Sequence, residues 1–205
     1  IFFETLPFGA VTILSLLFLN STLFLSKYVG GAEVAGKYAI VFQIITAINL
    51  IPVVIVQKFL MAKIHILAFS SPGKLFSYIN KLAFGMLLLG AVGGLVLYLS
   101  SEMIVKMFFG IEFLDSATGL KIAALSLPIY FVNYCLGAYL TTDSNIDKKV
   151  VVMFLVLLVH LPISYFLISQ YGVQGGALSF LGSSLLMFFG YSIVFYQAKR
   201  KFINV

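Results

Sequence analysis

The side chains that do acid–base, nucleophilic or metal chemistry are scarce in this chain of 205 residues: two histidines, one cysteine and seven acidic groups. No HExxH, GxSxG or phosphate-binding glycine loop is present. Asp143 and Asp147 lie four apart in TTDSNIDKK and pair more naturally with Lys148 and Lys149 than with a metal. His65 and His160 fall at different depths, and Cys135 has no cysteine partner, so it reads as a packing residue. An enzyme, a cofactor or a metal site is therefore not expected. What remains is His160 and four amides, Asn20, Gln43, Asn49 and Asn133, all inside apolar runs. An amide in hydrocarbon is costly without a partner, and an ionisable group at a span centre points to a functional site. These five are the candidates for lining a hydrated cavity. For His160 the plainer alternative is a neutral imidazole bonded to a neighbouring helix. Lys58, at the end of the second run, either snorkels to the headgroups or meets an anionic headgroup entering there.

The elements that must position these residues are six apolar stretches, about 6–25, 38–57, 82–99, 120–140, 150–169 and 177–196. None contains Asp, Glu or Arg, and the only lysine is Lys121 at the edge of the fourth. Each has about the 20 residues needed to cross a hydrocarbon core. The chain is 61% hydrophobic and 10% charged, with mean hydropathy +1.11, against roughly 25% charged for a soluble domain. In lipid, backbone groups must pair internally, which leaves helices or a closed barrel. Barrel strands would be about ten residues of alternating polarity, so the fold class predicted is an all-α bundle of six transmembrane helices forming a single unit, 1–205.

Net charge is +6 with a single arginine, Arg200, and no arginine–aromatic patch suited to nucleic acid. The basic residues sit in loops. Nine fall on the side that receives both termini (Lys58, Lys63, Lys74, Lys81, Lys148, Lys149, Lys199, Arg200, Lys201) and four on the other (Lys27, Lys37, Lys106, Lys121). That bias predicts cytoplasmic termini in a multi-pass plasma-membrane protein. Glu102, Glu112 and Asp115 make the outer face mildly acidic. Ser71-Pro72 has the form of a helix start, with Ser as cap, and Leu75, Tyr78, Ile79 and Leu82 then predict an amphipathic surface helix feeding the third span. Tyr28, Tyr38, Tyr98, Tyr139, Tyr171 and Tyr196 lie near span ends, as interfacial tyrosines do. The chain opens on Ile1 directly into a span, which suggests a segment of a longer protein rather than a signal peptide.

Within the spans, Pro7, Pro52, Pro128 and Pro162 are expected to kink their helices. Polar stripes recur. They are Thr12, Ser15, Thr22 and Ser26; Gln43, Thr46 and Gln57; Ser126, Tyr130, Asn133 and Gly137; and Ser179, Ser183 and Gly190. Serine–glycine stripes, like the Gly90/Gly94 pair, suit close helix packing.

The order of several segments resembles the C-terminal half of bacterial polysaccharide (O-antigen type) flippases, in the superfamily that includes the MATE exporters. LPFGAVTILSLLFLNSTLFLSKYVGGAEVAGKYA resembles the first span and outer turn of that half, with Asn20 where many members carry Asp. MFFGIEFLDSATGLKIAALSLP resembles the Phe-Gly loop entering the fourth span, and YGVQGGALS the outer turn before the last. LTTDSNIDKK replaces a turn usually richer in glycine. The resemblance implies one lobe of a two-lobed transporter that moves undecaprenyl-pyrophosphate-linked oligosaccharide to the outer leaflet of the inner membrane. Its partners would be that lipid-linked oligosaccharide, membrane lipids, a first lobe from the same native chain, and polysaccharide polymerase or glycosyltransferases. No Lys or Arg lies centrally, so the phosphate contacts stay unassigned. The alternatives are a MATE-type multidrug/cation antiporter lobe, disfavoured because no carboxylate lies in a span, and a non-transporting membrane scaffold or truncated relic. An integral membrane transferase ranks below both.

Overall fold

The computed structural model describes residues 2–142 and 145–203. Its elements are α1 (Phe2–Val53), a π-helical turn (Val54–Leu60), α2 (Met61–Ser70), α3 (Pro72–Phe108), a 3-10 turn (Ile111–Phe113), α4 (Leu114–Ala124), α5 (Leu127–Tyr139) and α6 (Ile146–Ile203). No strand occurs among the described residues. Three stretches, Leu6–Ser70, Gly73–Phe108 and Ile146–Arg200, are long and apolar enough to cross a membrane. A fourth is obtained if the bent pair Ile111–Ala124 and Leu127–Tyr139 counts as one span.

Two of these helices are too long to run straight. At 1.5 Å per residue, the 52 residues of α1 and the 58 of α6 would each exceed a hydrocarbon core of about 30 Å at least twofold. Both instead fold back at a glycine with positive φ: Gly31 (φ 80°, ψ −175°) and Gly172 (φ 53°, ψ −123°). Only glycine adopts such angles without steric cost. The reversal in α6 is close, since a Cβ at Gly175 would overlap the carbonyl oxygen of Leu167 and one at Gly190 would meet Val152. In α1, Thr22 and Tyr38 come together beside Gly176. The two hairpins pack chiefly on each other.

The four prolines act differently from one another. Pro7 and Pro162 lie inside helix runs. Pro52 cannot donate to the carbonyl of Ile48, and the widened turn Val54–Leu60 follows directly. Pro128 has no N–H for Ala124 O, so the fourth span breaks and α4 and α5 meet at 49°. Residues 125 and 126 bridge the break with i→i−3 bonds, Leu125 N–H to Ile122 O (3.2 Å) and Ser126 N–H to Ala123 O (3.0 Å). The Gly90/Gly94 pair of α3 packs on this break. A Cβ at Gly90 would lie 2.7 Å from Pro128 Cα, and one at Gly94 would lie 2.7 Å from Ala124 O.

The expected surface helix is the opening of α3 itself, one helix of 37 residues with Pro72 in its first turn. Ser71 occupies the cap position, but its side chain makes no cap bond; its carbonyl accepts from Leu75 N–H instead. Leu75 and Ile79 are buried, and Phe76, Tyr139 and Phe195 form an aromatic triangle with centroids 5.0–5.8 Å apart. Tyr139 and Tyr38 are thus core residues rather than interfacial ones, whereas Tyr28 is exposed. Large apolar side chains cover the outside, among them Phe84, Val92 and Leu99 on α3 and Phe166 and Phe189 on α6. A patch of that extent suits lipid rather than water. The ion pairs among the described residues cluster where the chain turns near Gly31 and Gly110: Lys37 with Asp115 (2.7 Å) and Glu33 (2.8 Å), and Lys121 with Glu102 (2.5 Å).

Candidate functional site

A cavity of about 630 Å³ opens between residues 8–19 of α1, the π-helical turn, α5 and the two arms of α6. Small-molecule sites are typically of this size. Its polar lining comes from several elements: Thr12 and Ser15 of α1, Gln57 of the π-helical turn, Tyr130, Asn133 and Tyr134 at helical spacing on α5, Thr141 just after it, and Lys149, Ser184 and Tyr191 of α6. Asn133, 8% exposed, donates from Nδ2 to Ser184 O (2.9 Å), while its Oδ1 has no partner. Lys149 folds along the end of α5 and donates to Gly137 O (3.0 Å) and Thr141 Oγ1 (2.8 Å). Carbonyls in a last helical turn lack intrahelical partners and attract cations, which explains its position. The expected Lys149–Asp147 pairing is therefore absent, and Lys148 donates to Asn145 Oδ1 (3.0 Å). Asp143 lies outside the described residues.

His160 sits elsewhere. It is 1% exposed and lines no part of this cavity. Nδ1 lies 2.5 Å from Ser183 Oγ. Nε2 lies 3.0 Å from Ser21 Oγ and 3.2 Å from Thr22 Oγ1. Ser164 Oγ is within 3.3 Å of both nitrogens, and Phe18 covers the ring at a centroid distance of 5.0 Å. The imidazole joins the first arm of α1 to both arms of α6 through hydroxyls, the plainer of the two roles open to it. Ser164, Ser179, Ser183 and Ser184 are all buried, as packing stripes should be.

The five candidates are not gathered in one place. Asn133 alone lines the large cavity. Asn49, also buried and with an unpartnered Oδ1, borders a separate void of about 20 Å³ beside Thr22 and Tyr38, room for one water. Asn20 bonds back to Leu16 O (2.8 Å) on its own helix, and Gln43 is exposed; neither borders either of these two cavities. Lys58 is exposed on the π-helical turn, whereas its neighbour Gln57 lines the large cavity. That turn explains why Gln43 and Gln57 part company: a wider helix rotates everything after it relative to a 3.6-residue wheel. Lys149 and Tyr191 were not among the candidates. For neither did the sequence carry a signal, because the neighbours that place them come from other helices.

These features define an all-helical bundle with apolar helices suited to a membrane. Set against family models, curated proteins and solved structures, the chain matches none.

Proposed function

We propose that this chain is the second six-helix lobe of a bacterial inner-membrane flippase for lipid-linked oligosaccharide. The observation that carries the reading is a roomy cavity with a polar α5 wall inside an otherwise apolar helical bundle. A sugar headgroup cannot cross hydrocarbon unaided, while a polyprenyl tail can stay in lipid, so a laterally accessible polar cleft separates the two tasks. The glycine reversals at Gly31 and Gly172 divide α1 and α6 into antiparallel arms; with α3 and the α4–α5 pair this supports six crossings. The nine-to-four distribution of basic residues favours cytoplasmic termini. Asn133 is the candidate from the sequence that faces the substrate in this reading.

The test is the leaflet distribution of lipid-linked sugar in cells lacking the gene, read with an impermeant headgroup probe. Accumulation in the inner leaflet, reversed by the intact gene but not by Asn133→Leu, is expected. Normal outer-leaflet levels would overturn the reading; drug hypersensitivity of the same cells would then favour an exporter, and its absence a scaffold.

A further inference from the structure

We infer that the cavity binds the headgroup of an anionic lipid, with the Lys149 ammonium as its charge partner and the Tyr191 hydroxyl as a second donor. This deepens the reading of the same cavity and rests on it for a role in transport, but its test is read in lipid binding, so either can fail alone. Three observations converge. Lys149 is half-buried, and both its acceptors are neutral. An ammonium has three protons, so one remains to be used, and no described carboxylate offsets the charge. A charge shielded from water without a counter-ion is costly, and basic pockets between membrane helices take anionic headgroups.

Gly137 leaves the space for that ligand. A Cβ there would stand 3.4 Å from Tyr191 Cε2 and 3.6 Å from Lys149 Nζ, so ring and ammonium flank one small gap. Tyr191 is 4% exposed and makes no hydrogen bond among the described residues, although a buried phenol ordinarily finds a partner. One flank of the wall suits a stem. Leu16, Met153 and Met187 are apolar, and Leu16 and Phe8 are 56% and 40% exposed, so the lining runs out onto the apolar surface of the bundle. The shared chemistry is a phosphate-type anion; a glycerophospholipid, a lipid-linked sugar or free phosphate could each supply it.

The experiment uses the full chain in nanodiscs of mixed phosphatidylcholine and phosphatidylglycerol, with retained lipid identified by native mass spectrometry. Wild type should retain phosphatidylglycerol over phosphatidylcholine by about fivefold, the enrichment one lysine supplies near a membrane surface. Lys149→Met should bring the ratio close to parity, Tyr191→Phe should lower it partway, and Lys149→Arg should preserve it, which separates lost charge from lost folding. Retention without headgroup preference in wild type, or an unchanged preference in Lys149→Met, would overturn the inference. So would full displacement of the lipid by millimolar inorganic phosphate, because the site would then hold the free anion.

Discussion

The chain places polar groups among apolar helices twice, and the two places are built in opposite ways. Around His160 both ring nitrogens lie within 3.3 Å of hydroxyls from three helical arms, and the ring lines neither of the two cavities. Around Asn133 and Lys149 a volume of about 630 Å³ is left open, and among the described residues Asn133 Oδ1 and the Tyr191 hydroxyl lack partners and the lysine meets no acid. Satisfied polar contacts between membrane helices fix their packing, each contributing about 1 kcal/mol. Unsatisfied ones that border free volume are of little use to packing and are better suited to a ligand. The same residue types, an amide or an imidazole in an apolar run, therefore signal structure in one place and recognition in the other, and the difference lies in what the neighbouring helices contribute.

The largest effect that separates the two places is expected from filling the cavity. Gly137→Phe would place a ring at the gap between Lys149 and Tyr191, where the nearest atoms to a Cβ belong to side chains. Flux of lipid-linked sugar should fall to the level of cells lacking the gene, while thermal stability of the purified protein stays close to wild type. A variant that transports normally would show that the cavity lies off the substrate path. The complementary substitution, His160→Leu, should do the reverse. It removes hydrogen bonds linking the two hairpins and should cost about 1–2 kcal/mol of stability, read as an earlier unfolding transition, with flux per folded molecule preserved. The serines would not all be orphaned, because Ser21 and Ser183 also bond to Phe18 O and Ser179 O on their own helices. Lost flux in a fully stable His160→Leu protein would turn the closed site into a functional one and collapse the distinction.

How much of this was legible beforehand depends on whether the signal was local. The apolar runs, the turns at Gly31 and Gly172, the break near Pro128 and the close packing at Gly90 and Gly94 are encoded in short windows, and the sequence reading found each of them. The α5 stripe containing Tyr130, Asn133 and Gly137 was also visible, because α5 is regular over that stretch. Other assignments failed for specific reasons. Gln43 and Gln57 were placed on one wheel, but Pro52 and the π-helical turn change the rotation between them. His160 and Asn133 look alike in sequence, and only the hydroxyls of Ser21, Thr22 and Ser183, distant in the chain, distinguish them. Lys149 read as a loop cation because its attraction to the end of α5 depends on how tightly the chain turns before α6.

The smallest effects should come from the charged groups at the opposite end, and they sharpen the comparison by supplying a baseline. Hydrogen bonds to Asp115 and then Glu33 raise the Lys37 ammonium from 10.5 to about 12. A raised ammonium contributes stability in full below its ordinary value and loses it as pH rises toward 12. The Lys121 hydrogen bond lowers the Glu102 carboxyl below its ordinary 4.5, so that contribution is present above 4.5 and fades as pH falls through the lowered value. Both pairs face solvent, where ion pairs count for little. The ion pairs should therefore leave the difference in unfolding temperature between wild type and Lys37→Met constant and within about a degree from pH 5 to pH 10, and that small offset should close in strong alkali, where the wild-type contribution is lost. Against that baseline, a loss of stability as pH falls below the ordinary histidine range of about 6.5 that disappears in His160→Gln would mean that the unfolded chain takes up a proton that the closed site refuses. That outcome would leave His160 as a neutral lock between hairpins and the open cavity as the part of the bundle that meets a ligand, whereas no loss would mean that the closed site takes up the proton as readily as the unfolded chain.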